Sequence, residues 1–403
     1  MADVRHTAFR RGAKGCVGGP AAGRTHGTGV TARPGETAVY VCVVPEDTGS
    51  VVIVGGGQAG LAAAHAALRI GLRPVVLEAT GRTAGSWPCY YDSLTLFSQA
   101  RYCALPGMPF PGDPDRYPHR DEVVAYLERY GAELAARGAR IRTAARVTEV
   151  TAGGGGFTVR LADGETLETP RLIAATGSFG RPYRPALPGE EGFTGRILHA
   201  AEYRAPEPFA GRRVIVVGAG NSAVQIACEL AEHATVTIAS RTPIRFVPQR
   251  PLGRDLHFWF RLTGFDRLPL PRAERPPAQP VVDTGRYRRA LRSGRPERRP
   301  MFTRLDGDRV EWPDGRREPV DVVLLATGYR PSVGYLAPLG ALTGDGRPRQ
   351  FRGLSTTHPG LAFVGLEWQR TPASNSLRGV GADARHVLRA LAGMPGRAAS
   401  AAS

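Results

Sequence analysis

Two stretches of this chain share one rhythm: an unbroken apolar run, a glycine cluster, a helix-like segment and a second apolar run. In the first, positions 51–54 are all aliphatic, 58–70 are rich in alanine and stop at Gly71, and 75–77 are apolar again. Short runs with no polar position mark parallel strands buried on both faces, and the alanine-rich stretch before a glycine predicts a helix with a glycine stop. Residues 214–242 repeat the order. Between the two copies, residues 81–119 hold prolines at 88, 106, 109, 111, 114 and 118 and read as a long loop. An amphipathic segment, 121–137, follows. Its apolar positions Val123, Val124, Leu127, Tyr130 and Leu134 share one helical face, and Gly138 ends it. Residues 147–174 alternate as strands do, with turns at 153–156 and Asp163-Gly164, and close on LIAATGSFG. Residues 306–317 make a similar small meander, then lead into DVVLLATGYRP. A short apolar run at 361–364 and a last helix near 382–391 complete the pattern.

Each half therefore offers a glycine turn, a meander and an apolar strand ending in Ala-Thr-Gly. The repetition predicts an α/β protein with two Rossmann-like dinucleotide-binding domains, the second inserted into the first. The expected boundaries are 50–204 plus 305–403 for one domain and 205–304 for the other. Residues 1–49 resemble neither half. They read as a disordered leader or an upstream start, and Arg10-Arg11 has no apolar segment behind it to make a twin-arginine signal.

The glycine turns carry the chemistry. GGGQAG at 55–60 follows a strand and opens a helix, so its glycines let backbone N–H groups approach a pyrophosphate at the helix N-terminus. Gly55, Gly57, Gln58, Ala59 and Gly60 are candidate ligands, with Glu78 at the end of the second strand placed to accept hydrogen bonds from a ribose diol. GAGNSA at 218–223 nominates Gly218, Gly220, Asn221, Ser222 and Ala223 in the same way. There Arg241 stands where Glu78 stood, flanked by Ser240 and Thr242. An arginine at that position suits a 2′-phosphate through fork geometry and charge. One turn thus expects a dinucleotide without a 2′-phosphate and the other a dinucleotide with it. Two redox dinucleotides on one chain imply an oxidoreductase.

The net charge of +17 raises a nucleic-acid reading, but only one of 53 basic residues is lysine, a skew that points to genome composition. Residues 241–304 hold 16 arginines against 5 acidic residues, beside the turn where an anionic cofactor is expected. No zinc-finger, helix-turn-helix or RNP pattern accompanies them, so no nucleic-acid partner is expected. The five cysteines form no CxxC or metal spacing, which points to free thiols in the cytoplasm and no metal. No apolar run is long enough to span a membrane, and no membrane partner is expected. Oligomeric state is not readable from the sequence.

Between the two turns lies Phe193-x-Gly195-x3-His199-x3-Tyr203, and Leu325–Tyr329 reads LATGY. These, in order with the two glycine motifs, resemble the flavin-containing monooxygenases, which are single-component class B flavoprotein monooxygenases. The resemblance runs from about residue 50 to 391. TAGSW at 83–87 looks like the family's flavin-side segment, which adds Ser86 and Trp87 as cofactor candidates; Val147 and Gly328 join them. The stretches 91–111 and 369–384 look most like a bacterial branch that includes enzymes of arsenic-resistance operons. The resemblance implies FAD at the first turn and NADPH at the second. It also implies an oxygen-consuming reaction through a C4a-hydroperoxyflavin, attacked by amine nitrogen, sulfide sulfur or trivalent arsenic. Tyr203-Arg204 stands where Baeyer–Villiger relatives carry Trp with Pro or Asp, which favours heteroatom oxygenation. Phe97 falls where eukaryotic members place an asparagine near the flavin, leaving Ser98 or Gln99 as alternatives. The motif does not nominate His199 as catalytic: packing at the domain junction suits it as well. Residues 257–260 read either as core or as a wall of the substrate route. Two other classes stay open: a reductase or oxidase passing electrons onward, which lacks a redox CxxC here, and a flavoprotein regulator without turnover.

Overall fold

The structure is a computed structural model that describes residues 41–42, 49–154, 156–269 and 280–393. Apart from Val41, Cys42 and Gly49, the expected leader lies outside the described residues.

The first sheet grows from the first apolar run. Strand β1 (Ser50–Val54) leads through the glycine turn into helix α1 (Gln58–Leu68), and β2 (Arg73–Leu77) returns parallel to β1. All five residues of β1 are buried, which is why the run contains no charge. Helix α2 (Arg120–Ala136) packs against α1, and its Glu122 side chain accepts from the His119 N–H, closing the first turn. Strand β3 (Arg140–Arg142) extends the sheet beside β2, and β4 (Leu172–Ala174) joins the other side of β1. The meander of Val147–Gly153, Gly156–Leu161 and Thr166–Thr169 forms a separate antiparallel layer, to which Val41–Cys42 adds a parallel edge.

The second sheet is wholly parallel. Its strands are β5 (Arg196–His199), β6 (Arg213–Val217), β7 (Thr235–Ser240), β8 (Glu297–Pro300) and β9 (Val322–Leu325), in the spatial order β8-β7-β6-β9-β5. Helix α3 (Asn221–Leu230) crosses between β6 and β7. A short aromatic helix, α4 (Leu256–Leu262), sits in the excursion that follows. The chain then returns to the first sheet through β10 (Leu361–Phe363), which pairs with β4, and ends its described part in helix α5 (Leu377–Ala392), packed on α1.

The sheets divide the chain differently from the expected boundaries. Residues 196–199 and 322–325 were expected in the first domain, yet both are strands of the second sheet. The meander at Arg304–Pro319 follows them: Leu305, Val310 and Trp312 share a core with Ile215, Val217 and Val323. The physical reason is the repetition itself. Each Ala-Thr-Gly strand fills the place beside its own glycine-turn strand, so β9 belongs with β6 as β4 belongs with β1.

Candidate functional site

The two glycine turns are wired alike. Gly55 N–H donates to Leu77 O and Gly218 N–H to Ala239 O, joining each turn to the strand beyond it. Ala175 N–H donates to Val54 O and Ala326 N–H to Val217 O, both at 2.8 Å, placing each Ala-Thr-Gly segment against the turn. A Cβ on Gly55 (φ +107°) would stand 2.6 Å from Ala175 O, and one on Gly218 (φ +151°) 2.5 Å from Ala326 O. Both positions need glycine for the same two reasons: a backbone angle L-residues avoid and a carbonyl with no room beside it.

The third motif position separates them. A Cβ on Gly60 would lie 1.8 Å from Gly55 O, so α1 presses directly onto its own turn. The matching residue of α3 is Ala223, whose methyl is buried and tolerated. Neither helix has a side-chain cap at its start, which leaves the first-turn N–H groups for an anion. A Cβ on Gly220 would meet nothing within 4 Å.

The strand ends differ more. Glu78 is only 5% exposed. Its Oε2 accepts from Gly56 N–H at 2.6 Å, while Oε1 accepts from Thr80 N–H and Oγ1 at 2.8 and 2.9 Å. The carboxylate is thus fixed at the lip of the turn with one lone pair, on Oε2, still available to a diol. In the second half, Arg241 and Thr242 are exposed beyond the end of β7. Ser240 is not available as expected: its hydroxyl donates to Thr242 O and accepts from Arg298 Nε, and it is 3% exposed. Asn221 is also engaged, its Nδ2 donating to Pro280 O and its Oδ1 accepting from Val282 N–H. That side chain fastens the excursion to α3, so a phosphate there is left to main-chain N–H groups and Ser222.

One cleft of about 730 Å³ gathers most of the candidates. Gly55, Gly57, Gln58, Ala59, Glu78, Ser86, Trp87 and Val147 line it, and Asn221 and Ser222 enter from the second half. Gly60 lies beneath the turn, whereas Gly218, Gly220, Ala223, Ser240, Arg241, Thr242 and Gly328 lie off the cleft wall. Trp87 Nε1 donates to Gln58 Oε1 at 3.0 Å, and Gln58 Nε2 donates to Asn375 O at 2.7 Å. This chain of bonds ties the proline-rich loop, α1 and the tail around one opening. The residues present fit a flavin dinucleotide: an uncapped helix start, a fixed carboxylate, and a glycine turn that any side chain would fill.

Part of the cleft wall is aromatic. Phe97 and Tyr102 line it, and Phe97 stacks on His257 with ring centroids 6.0 Å apart. His257 Nδ1 donates to Asp255 Oδ1 at 2.9 Å, and Tyr117 OH donates to Asp255 Oδ2 at 2.8 Å. Burial pushes the Asp255 carboxyl up, but the bonds from His257 and Tyr117 outweigh it and hold it below the ordinary range. His257 therefore backs the aromatic wall as a fixed ring. Of the two alternatives to the missing asparagine, Ser98 lines the cleft and faces Cys103 Sγ, while Gln99 turns away to Asp115.

The residues between the turns brace the second half and, through Arg204, tie it to the proline-rich loop. His199 is fully buried, donates from Nε2 to Gly328 O at 3.1 Å, accepts the Ala201 N–H at Nδ1, and meets the Tyr329 ring edge-on. Tyr203 OH donates to Glu229 Oε2 on α3, and Arg204 donates to Pro88 O and to the O of the cleft-lining Tyr90. Arg120 also donates to Tyr90 O, and Arg378 makes a two-point ion pair with Asp266. Sequence reasoning missed Asp255, Tyr117, Arg120, Arg298 and Arg378. None belongs to a spaced motif, although Asp255 did carry a signal as a helix N-cap two residues before an aromatic run.

The comparisons with known proteins agree with this geometry. Residues 52–252 match the family model described as pyridine nucleotide-disulphide oxidoreductase. The chain is 32% identical to the indole-3-pyruvate monooxygenase YUCCA1 of Oryza sativa subsp. japonica, over 84% of this chain and 90% of that one. Among solved structures, a flavin-containing monooxygenase from Stenotrophomonas maltophilia is 32% identical, with a TM-score of 0.75 over 85% of this chain and 98% of that one. The chain belongs to the flavin-containing monooxygenase family. As a member of that family it is an oxidoreductase of the monooxygenase type, and the family's cofactors are FAD and NADPH. An uncharacterized oxidoreductase of Geobacillus kaustophilus is 28% identical over 84% of this chain and 97% of that one. No helix of the described residues is long and apolar enough to cross a membrane.

Proposed function

We propose that this flavin-containing monooxygenase family member uses NADPH and FAD to place one atom of molecular oxygen on a soft nucleophilic heteroatom. Nitrogen, sulfur and trivalent arsenic are the candidate atoms, in a small substrate in the cytoplasm. The observation that carries the reading is the shared cleft: the first turns of α1 and α3 open onto the same cavity, so a flavin and a hydride donor held there would meet.

When bound, reduced FAD supplies the activation of oxygen; this chain's residues hold, orient and shield it. Gly55, Gly57, Gln58, Ala59 and Gly60 would seat the pyrophosphate of FAD and Glu78 its ribose. Ser86, Trp87 and Val147 would flank it. The backbone of Gly218, the main-chain N–H groups of Gly220, Asn221 and Ala223, and Ser222 would seat NADPH, with Arg241 and Thr242 at its 2′-phosphate. Phe97, Tyr102 and Leu94 make the substrate end apolar, which excludes water and favours a soft nucleophile over a charged one. The described cysteines Cys89, Cys103 and Cys228 are free thiols and form no redox pair, which argues against a disulfide reductase.

The test is stoichiometry. The purified, FAD-loaded protein is given NADPH, oxygen and an amine, a sulfide or arsenite in turn, and oxygenated product is counted against peroxide. Product approaching one per NADPH with any of them supports the reading. Recovery of all electrons as peroxide with every nucleophile makes the protein an oxidase instead.

A further inference from the structure

Strand β8, the edge of the second sheet, carries two adjacent arginines that face opposite ways, as neighbours on a strand must. Arg299 turns to one side, where it pairs with Glu297 at 2.8 Å and Glu318 at 3.0 Å and lies over the Trp312 ring. Arg298 turns to the other, toward the end of β7. Its Nε is 3.2 Å from Ser240 Oγ and its Nη2 3.4 Å from Ser240 O. That carbonyl belongs to the peptide that begins Arg241. Ile238 is the register partner of Arg298, so the side chain runs forward along the strand to reach this point. Among the described residues, neither Arg241 nor Arg298 forms an ion pair with a carboxylate. The Arg298 guanidinium thus lies against the peptide from which the exposed Arg241 departs, and neither side chain has a carboxylate partner among the described residues.

We propose that Arg298 is a second determinant of NADPH selectivity, acting with Arg241 on the 2′-phosphate. The inference rests on the reading of the second turn as an NADPH site and adds to it a residue from a different strand. A phosphate monoester near neutral pH carries between one and two negative charges, so one exposed arginine leaves it incompletely matched. Arg298 supplies the missing charge from a rigid strand and, through Ser240, fixes the peptide from which Arg241 departs. Ser240 is then a spacer between two arginines rather than a phosphate ligand.

The experiment uses the FAD-loaded protein and calorimetric titration with adenosine 2′,5′-bisphosphate and with adenosine 5′-monophosphate, so that no turnover is required. The unsubstituted protein should prefer the bisphosphate. Arg298→Ala should weaken the bisphosphate roughly tenfold and leave the monophosphate unchanged, with Arg298→Lys in between. Steady-state KM should follow for NADPH but not for NADH. Unchanged preference in Arg298→Ala, or equal weakening of both nucleotides in Arg298→Lys, overturns the role of Arg298 alone. No preference in the unsubstituted protein overturns the NADPH reading and the role of Arg298 with it.

Discussion

The two nucleotide cradles of this chain have the same wiring and different tolerances. In the first, the turn is squeezed between its own helix and the next strand, and a carboxylate with three hydrogen bonds closes the strand end. In the second, an alanine replaces the third glycine, a Cβ on Gly220 would find open space, and the strand end is exposed and cationic. The first is closed and tightly packed. The second is open at its strand end. The difference between the two lies less in the glycine motif than in what surrounds it.

The strongest way to break this comparison is to exchange the third positions. Gly60→Ala puts a methyl where Gly55 O already stands, so α1 must lift off β1. We expect a loss of about 3 kcal/mol and of flavin retention. Ala223→Gly removes one buried methyl and adds helix entropy, a cost of about 1–2 kcal/mol with flavin retained. Thermal unfolding and flavin content of the purified variants measure both. Equal effects at the two sites would show that the cradles are equally packed.

Glu78→Gln tests the fixed carboxylate. The amide keeps the size but turns a donor toward either Gly56 N–H or Thr80 N–H, leaving a buried donor facing a donor. About 1–3 kcal/mol is expected, with weaker flavin binding by fluorescence titration. A variant that keeps both stability and flavin would remove Glu78 from the site.

Arg241→Ala addresses the exposed end. Stability should hardly change, because the side chain is exposed. NADPH should weaken by about 1–3 kcal/mol relative to NADH, read as the ratio of their KM values. Equal loss for both cofactors would mean that Arg241 only solvates the strand end.

Much of this contrast was legible in the sequence because close backbone approach forces glycine and full burial forces apolar runs. Both turns and their strands follow from those constraints alone, α2 from its one-faced apolar period, and the positions of Glu78 and Arg241 from their offset after the turns. What stayed hidden depended on distant register. Nothing near Ser240 announces Arg298, which is 58 residues away, and nothing near Phe97 announces His257. Helix α5 starts at Leu377, several residues before the predicted start near 382, because Gly379 and Gly381 look like breakers. They are there for contact: a Cβ on Gly379 would stand 2.2 Å from Ala373 O and one on Gly381 2.4 Å from Pro106. The placement of β5 and β9 was hidden for a related reason, since both reach the second sheet across chain segments that carry no boundary signal.

The smallest expected effect concerns how the halves respond to acid. Burial, aided by nearby arginines, lowers the pKa of His65 and His386 in the first half, and burial lowers that of His199 in the second. His199 also accepts a hydrogen bond at Nδ1, which requires the neutral ring. Above the unfolded value of about 6.5 all three are neutral in both states and cost nothing. As pH falls below it, the unfolded chain takes up protons that the folded chain refuses, so stability declines until the lowered folded values are passed. His199→Gln removes one of these sites, and the fall in Tm between about pH 7.5 and 5.5 should become shallower in that variant. His65→Gln tests the first half in the same way. If His199→Gln leaves the slope unchanged while His65→Gln flattens it, acid acts on the first half alone, and His199 is protonated in the folded protein after all.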